Sequence, residues 1–592
     1  MKMNKKNITL IALFAALLVP LSCKKNFLTT TNTFQSTPDA TFTHSQDVVA
    51  MVNGIYDAYQ SSDLLKKSIW YYSNFMTHDF FNYGADIVWN NYQLNSLFAQ
   101  LPVFWLNSYI AVGRANAALV IIADAKAKGV VTAALADRLT GEAYFMRGLT
   151  YYYLAGSFGG VPLVLKTGSN GLEPRSSQDD VFKQVVADMK QAETLLVSKT
   201  ALPATEIGRA TKGAAFAYEG AAQMWLKNYT GALAAFNNTE LTSNYHLLPN
   251  FMDVHEFDHQ NSDESIFEIQ FDINGSQSWD GGWQDGGEIA WIDDFSWPEE
   301  VSGFGYDYAN PGLWYSYQAG DLRKQATILG PGDANLSPGI IAKGANGVGG
   351  GIKGYPNVVG GYANYLKNPS GDITDRDRYT DGNGNIINTN GTIAHPWFGV
   401  SDQKRSGYMA AKKWRDPTLT GATGNPTNIF GSQNQILMRY AEVLLDRAEC
   451  KIRTGDVAGG LADIALVRNR AWGGTAPAVV QDGLNFDGTP STPITDPLQI
   501  VYSEYRHELT AEYSVMYDLR RAGPGIAAAF IHQCYGTDAT TDPQPYPYGP
   551  TADGKLHGVW RTALPANRDL LPIPQSAIGL NPNLVQNPGY GN

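Results

Sequence analysis

"TKGAAFAYEGAAQMWLKNYTGALAAFNN", residues 211–238, decides the fold. Apolar residues recur at helical spacing on both sides of a break near Asn228–Tyr229, so the stretch predicts two helices. Alanines fall where the two helices must approach closely, the style of a tetratricopeptide-like hairpin. A second pair of this kind is predicted far downstream, in "ILMRYAEVLLDRAECKIRTGDVAGGLADIALVRNRAW" (436–472), turning at Thr454-Gly455-Asp456.

Working outward, "FWLNSYIAVGRANAALVIIADAKAKG" carries helical periodicity and ends at Gly129. "ALADRLTGEAYFMRGLTYYYLAGSFGGVPLV" follows and is closed by Gly159, Gly160 and Pro162. "SSQDDVFKQVVADMKQAETLL" opens with serine and acids, as a helix start should. The last strong helix is read over "PLQIVYSEYRHELTAEYSVMYDLRRAG", and the proline-rich tail after Leu570 is expected to be irregular. The fold class is therefore mainly α, with tetratricopeptide-like helical hairpins as the scaffold.

Between the helical parts, residues 279–426 are rich in Gly, Asn, Asp and Trp and contain turn signals such as "TDGNGN". They are read as a long, loop-rich insertion with short strands. The predicted organisation is 1–22 signal peptide, 23–43 acylated N-terminus and tether, 44–278 helical part, 279–426 insertion and 427–592 second helical part with tail.

The first residues are a targeting segment. Lys2, Lys5 and Lys6 precede the apolar run Ile8 to Val19, which is too short to span a bilayer. The run ends at "PLSC", and Cys23 after the small Ser22 stands where a bacterial lipoprotein is cut and acylated. Pro20 occupies a place where leucine is usual in such a site. Acyl chains on Cys23 would hold the protein to a membrane. Only Cys450 and Cys534 then remain, too few for a disulfide framework.

Composition narrows the function. With 17% charged and 44% hydrophobic residues the chain is globular, and its net charge of -12 argues against nucleic acid as a partner. "HEFDH" (255–259) matches H-E-x-x-H, the spacing of zinc-binding histidines on a metalloprotease helix. Zinc chemistry wants a long helix and a third ligand. Here Pro249 and the polar "QNSDES" crowd the motif, so it reads as a surface loop. "GVGGGIKGYP" lacks the strand and helix of a dinucleotide site, and "DRDRYTDGNGN" lacks the glycine and glutamate of a calcium loop. No metal or cofactor is expected.

The tryptophans carry more information. Trp279, Trp283, Trp291, Trp297 and Trp314 crowd one segment among Gly, Asp, Gln and Ser, without the periodicity of a core element. Aromatic rings on a loop offer flat apolar platforms for the C–H face of a sugar, with acids and amides near for the hydroxyls. About half of these rings are expected to anchor the loop itself. Trp105 and Trp225 lie in helical patterns and are read as core.

Seven stretches, in order, resemble the SusD/RagB family of surface lipoproteins. They are "GEAYFMRGLTYYYLAGSFGGVPLV", "EPRSSQDDVFKQVVADMKQAETLL", "GRATKGAAFAYEGAAQMWL", "RYAEVLLDRAE", "VRNRA", "ELTAEYSVMYDLRRAG" and "LLPIPQSAIGLNPNLVQNPGY". Gly148 replaces a usual alanine, and Tyr505, Tyr513 and Met516 depart from the family pattern. The resemblance implies a cell-surface protein of the outer membrane, lipid-anchored through Cys23, that binds oligosaccharides and has no catalytic site. It also implies a SusC-like TonB-dependent transporter as partner. Trp283, Trp291, Trp297 and Trp314 are the expected ligand contacts. Trp89 and Asn90 join them, because the resemblance places a second ligand-facing loop at "HDFFNYGADIVWNNYQ". A peptide ligand is the alternative within the family. A hydrolase is the competing class, zinc-dependent through His255 and His259 or carboxylate-dependent through Asp293, Asp294, Glu299 and Glu300.

Overall fold

The structure, a computed structural model, describes residues 42–82, 86–272, 307–329, 409–410, 432–486, 488–537 and 562–591. Cys23, Trp279, Trp283, Trp291, Trp297, the four candidate carboxylates of the insertion and the glycine- and aspartate-rich motifs lie outside those residues.

Six helices build the first part: α1 (Ser45–Gln60), α2 (Gln100–Ala127), α3 (Ala133–Phe158), α4 (Gln178–Leu195), α5 (Lys212–Trp225) and α6 (Tyr229–Phe236). Each packs on the next in sequence. Short polar side chains start them: Thr132, Ser177, Thr211 and Asn228 each accept a hydrogen bond from a backbone N–H in the first turn that would otherwise lack a partner. Asn228 thus makes the break that the sequence predicts. α2 is long and apolar enough to cross a membrane, but here it lies against α1 and α3 with Phe104, Ala111, Val112 and Ile122 buried.

α3 is the central helix, and glycines set its distances to neighbours. A Cβ on Gly148 would come within 2.9 Å of Met189, which explains the missing methyl at that position. A Cβ on Gly156 would come within 2.7 Å of Tyr517. Trp225 stacks on Phe182 at 4.7 Å, as expected of a core residue, and Trp105 is half-buried on α2.

The second part holds α7 (Tyr440–Arg453), α8 (Val457–Ala471), α9 (Pro497–Leu509), α10 (Val515–Ala522) and α11 (Ile526–Tyr535). α6 packs against α7, so the two hairpins stack although about 200 residues of chain separate them. One apolar core runs through both parts. The long final helix is in fact two. Ala511 takes φ +64°, and its N–H donates to Asn74 Oδ1 while its carbonyl accepts from Trp70. Tertiary partners from residues 70–74 break a stretch that holds no glycine or proline between Pro497 and Gly523. The tail also carries a short helix, Gln575–Leu580, where irregular chain was expected.

Strands are few. β2 (Ser265–Ile269) pairs antiparallel with β6 (Gln435–Arg439), which closes the base of the insertion. A second sheet has the order β1–β3–β5–β4, from Phe80–Asn82, Asp307–Ala309, Met409–Ala410 and Ile328–Leu329. Its pairs are antiparallel, with Phe80 opposite Ala309 and Phe81 opposite Tyr308.

Beside the β2–β6 ladder lies a buried ionic network. Arg439 binds Glu264, Glu508 and Glu512 at 2.6–2.8 Å. Arg323 binds Asp321, Glu504 and Glu508 at 2.7–3.1 Å. Arg468 and Arg470 add pairs to Glu504 and Glu264, each near 2.5–2.8 Å. Burying such charges is costly, so Arg323, Arg439 and Arg470 are each shared among carboxylates, while Arg468 adds bonds to Gln318 and the Pro477 carbonyl. Cys450 and Cys534 are free thiols.

Candidate functional site

The β1–β3 ladder brings together two aromatic segments that are distant in sequence. It sets the 78–92 loop beside the short helix Pro311–Ser316 that carries Trp314. Asn310 joins them: its backbone N–H donates to the Asp79 carbonyl, its side-chain amide donates to the His78 carbonyl, and its Oδ1 caps the helix at Gly312. Phe81 and Tyr308 stack across the ladder at 5.6 Å.

Trp314 is half-buried, with Lys324 Nζ 4.3 Å from its ring centroid and 5.6 Å from that of Tyr315. A cation over an aromatic face holds the ring in place. Nearby, the Tyr71 hydroxyl lies 3.3 Å from Asp86 Oδ2 and 3.5 Å from Asp307 Oδ1, and Gln100 donates to Asp86 at 2.5 Å. Burial pushes the Asp86 carboxyl above its usual range, and the neighbouring Asp307 adds to the shift.

Trp89 and Asn90 depart from expectation. Trp89 is fully buried, its ring edge on Tyr71 at 6.2 Å and on Phe98 at 6.3 Å, and its Nε1 donates to Gln100. Asn90 is also fully buried, and its amide donates to the carbonyls of Phe75 and Phe80. Both hold the loop in shape from within and offer no face to a ligand. The family resemblance placed a ligand-facing loop here, while the side chains are turned inward onto flanking residues, Tyr71, Phe98 and Gln100 for Trp89 and Phe75 and Phe80 for Asn90.

The H-E-x-x-H stretch does not lie on one helix. His255 ends a 3-10 turn (Phe251–His255), Glu256 is extended, and His259 ends a second turn (Phe257–His259). His255 is buried, with Nε2 3.3 Å from Glu512 Oε1, whereas His259 is half-buried and bonds Asp258 at 2.8 Å. The expected surface loop therefore holds for His259 alone, and His255 belongs to the edge of the ionic network. Among the described residues Glu442, Asp446 and Asp518 have metal-like spacing. Arg521 lies against that group, 2.6 Å from Asp446 and 3.2 Å from Asp518, and takes the place of a cation.

Residues 254–590 match the SusD family. The chain belongs to the SusD family. Residues 9–226 match a further family described as starch-binding associating with outer membrane. SusD-like protein P2 of Formosa agariphila is 24% identical over 527 residues, covering 85% of this chain and 83% of that protein. Among solved structures, a SusD homologue from Bacteroides thetaiotaomicron superposes with a TM-score of 0.67 at 18% identity, covering 93% of this chain and 98% of that one. A laminarin-binding SusD-like protein gives 0.62 at 21% identity, with 92% and 100% covered. Surface glycan-binding protein A from Bacteroides fluxus gives 0.64 at 19% identity, with 92% and 99% covered. These likenesses extend the SusD-type frame over nearly the whole chain. Tyr505, Tyr513 and Met516, which depart from the SusD pattern, are buried. The Tyr505 hydroxyl bonds Asp446 at 2.8 Å and the Tyr513 hydroxyl bonds Gln435 at 2.7 Å.

Proposed function

We propose that this SusD-family chain is a glycan-binding lipoprotein of the outer-membrane surface, anchored through acylated Cys23. It captures oligosaccharides and passes them to a SusC-like TonB-dependent transporter, whose energy drives uptake. Family membership carries this reading, with relatives described as glycan- or laminarin-binding. The rooting of Trp314 on the β1–β3 ladder supports it further, since that ladder fixes the base of the aromatic segment.

Binding is reversible, through sugar stacking on Trp283, Trp291, Trp297 and Trp314 and hydrogen bonds from neighbouring amides and acids. Trp89 and Asn90 act only by supporting the loop. The test uses native gels cast with a panel of polysaccharides and the mature chain made without acylation. Retardation on a glycan, unchanged by a chelator and weakened in Trp314→Ala, is the expected result. Retardation on no glycan sinks the reading and turns attention to peptide ligands.

A further inference from the structure

A cavity of about 510 Å³ lies between the C-terminal half of α1, the loop preceding α5 and the end of β2. Its volume falls within the roughly 300–1,000 Å³ typical of small-molecule sites. It shares no residue with the aromatic segment around Trp314. The geometry points to a second carbohydrate subsite here, one that takes a neutral terminal mono- or disaccharide unit. This inference rests on the glycan-binding reading above.

The polar groups of the wall are held in place by partners behind it and by one another. Arg114 binds Asp57 Oδ2 at 2.7 Å, Arg138 binds Glu206 at 3.0 Å, and Gln60 Nε2 donates to the Gln270 carbonyl at 2.9 Å. Behind them the Tyr56 hydroxyl donates to Glu142 at 3.0 Å and accepts from the Ala210 N–H at 3.2 Å. Such fixing lowers the ordering cost of binding.

Hydrogen-bonding capacity remains. Asp57 Oδ1, Gln60 Oε1 and the exposed Asn53 amide have no hydrogen-bond partner among the described residues. Two acceptors beside an amide suit the vicinal hydroxyls of a sugar. The exposed Ile207 side chain supplies apolar surface for its C–H face, beside the largely buried Phe271 ring. Charge then selects among sugars. Asp57 is paired with Arg114, and Arg138 and Arg209 are both committed to Glu142 and Glu206. These cations are thus already matched by the protein's own carboxylates, and a neutral sugar suits the wall better than a uronic acid or sulfated one.

The test is calorimetric titration of the full mature chain, made without acylation, with neutral gluco-, galacto-, manno- and xylo-configured disaccharides. Two variants fill the mouth from separate elements, Asn53→Trp on α1 and Ile207→Trp on the loop, so a folding failure in one leaves the other. The expected result is disaccharide binding that falls at least tenfold in a folded variant and survives Trp314→Ala. Disaccharide binding unchanged in both variants overturns the subsite and leaves the glycan-binding reading intact. Retardation on polysaccharide gels without disaccharide binding does the same. Failure of both polysaccharides and disaccharides to bind overturns the two together.

Discussion

Around α3, α4 and α5 the core is rich in aromatic rings, whereas around β6, α9 and α10 it is rich in buried ion pairs. In the first region Phe145 and Tyr152 meet Tyr218 edge-on at 5.7 and 5.5 Å, and Phe182 stacks on Trp225. In the second, Arg323, Arg439 and Arg521 are almost wholly removed from solvent among carboxylates. The difference follows position. The ionic region lies where the insertion is rooted, and its members come from both ends of that insertion: Glu264 before β2, Arg323 within it, and Arg439 at the end of β6. Apolar contacts tolerate many arrangements of similar volume. A bidentate ion pair tolerates few, so the ionic region specifies how the two roots align at the expense of some stability.

The largest expected effect tests that contrast directly. Arg439→Leu strips Glu264, Glu508 and Glu512 of their shared partner and should destabilise by about 3–5 kcal/mol in chemical denaturation. In the aromatic region, Gly220→Ala drives a methyl into Phe236 and should cost about 1–3 kcal/mol in the same measurement. Equal losses in the two variants would remove the distinction.

The last contrast concerns pH, and the two regions should fail at opposite ends. Burial pushes the Glu508 carboxyl up, but Arg470, Arg439 and Arg323 overcome it and hold the group at about 2, against an ordinary 4.5. Its stabilisation is therefore complete above pH 4.5 and lost as pH falls toward 2. On α4, burial and then repulsion from Glu219 push Glu193 up to about 9. That contribution is present below 4.5 and lost as pH rises toward 9. Melting curves of Glu193→Gln should thus shift less than wild type between about pH 5 and pH 9, while the acid transition stays where it was.

The helical frame was legible because periodicity and small residues at crossings are local signals. The stretch 211–238 announced its hairpin, and Asn228 made the break. The split of the final helix at Ala511 was not legible, because Trp70 and Asn74 impose it from far away in the chain. The same reason hid the role of His255, whose partner Glu512 is distant in the chain, whereas Trp89 was hidden because sequence does not show which way its ring turns. An aromatic among glycines and asparagines looks the same whether solvent or a distant helix covers it. Trp314 could be placed in an aromatic segment from sequence, but its lysine partner and its ladder could not.

The β2–β6 ladder has a consequence for exchange between proteins. Asn434 accepts from the Phe271 N–H at 3.0 Å and donates to Gln270 and Glu268 at 2.8 and 2.9 Å, so the chain leaves and re-enters the frame at one clamp. With the ends fixed, doubling the excursion adds only about 0.6 kcal/mol of closure cost. The segment between Phe271 and Asn434 is tied again within its length, through β3 on β1 and through Arg323 in the ionic network. A new specificity is therefore fitted most readily by exchanging chain between those ties, while the helices keep their own register.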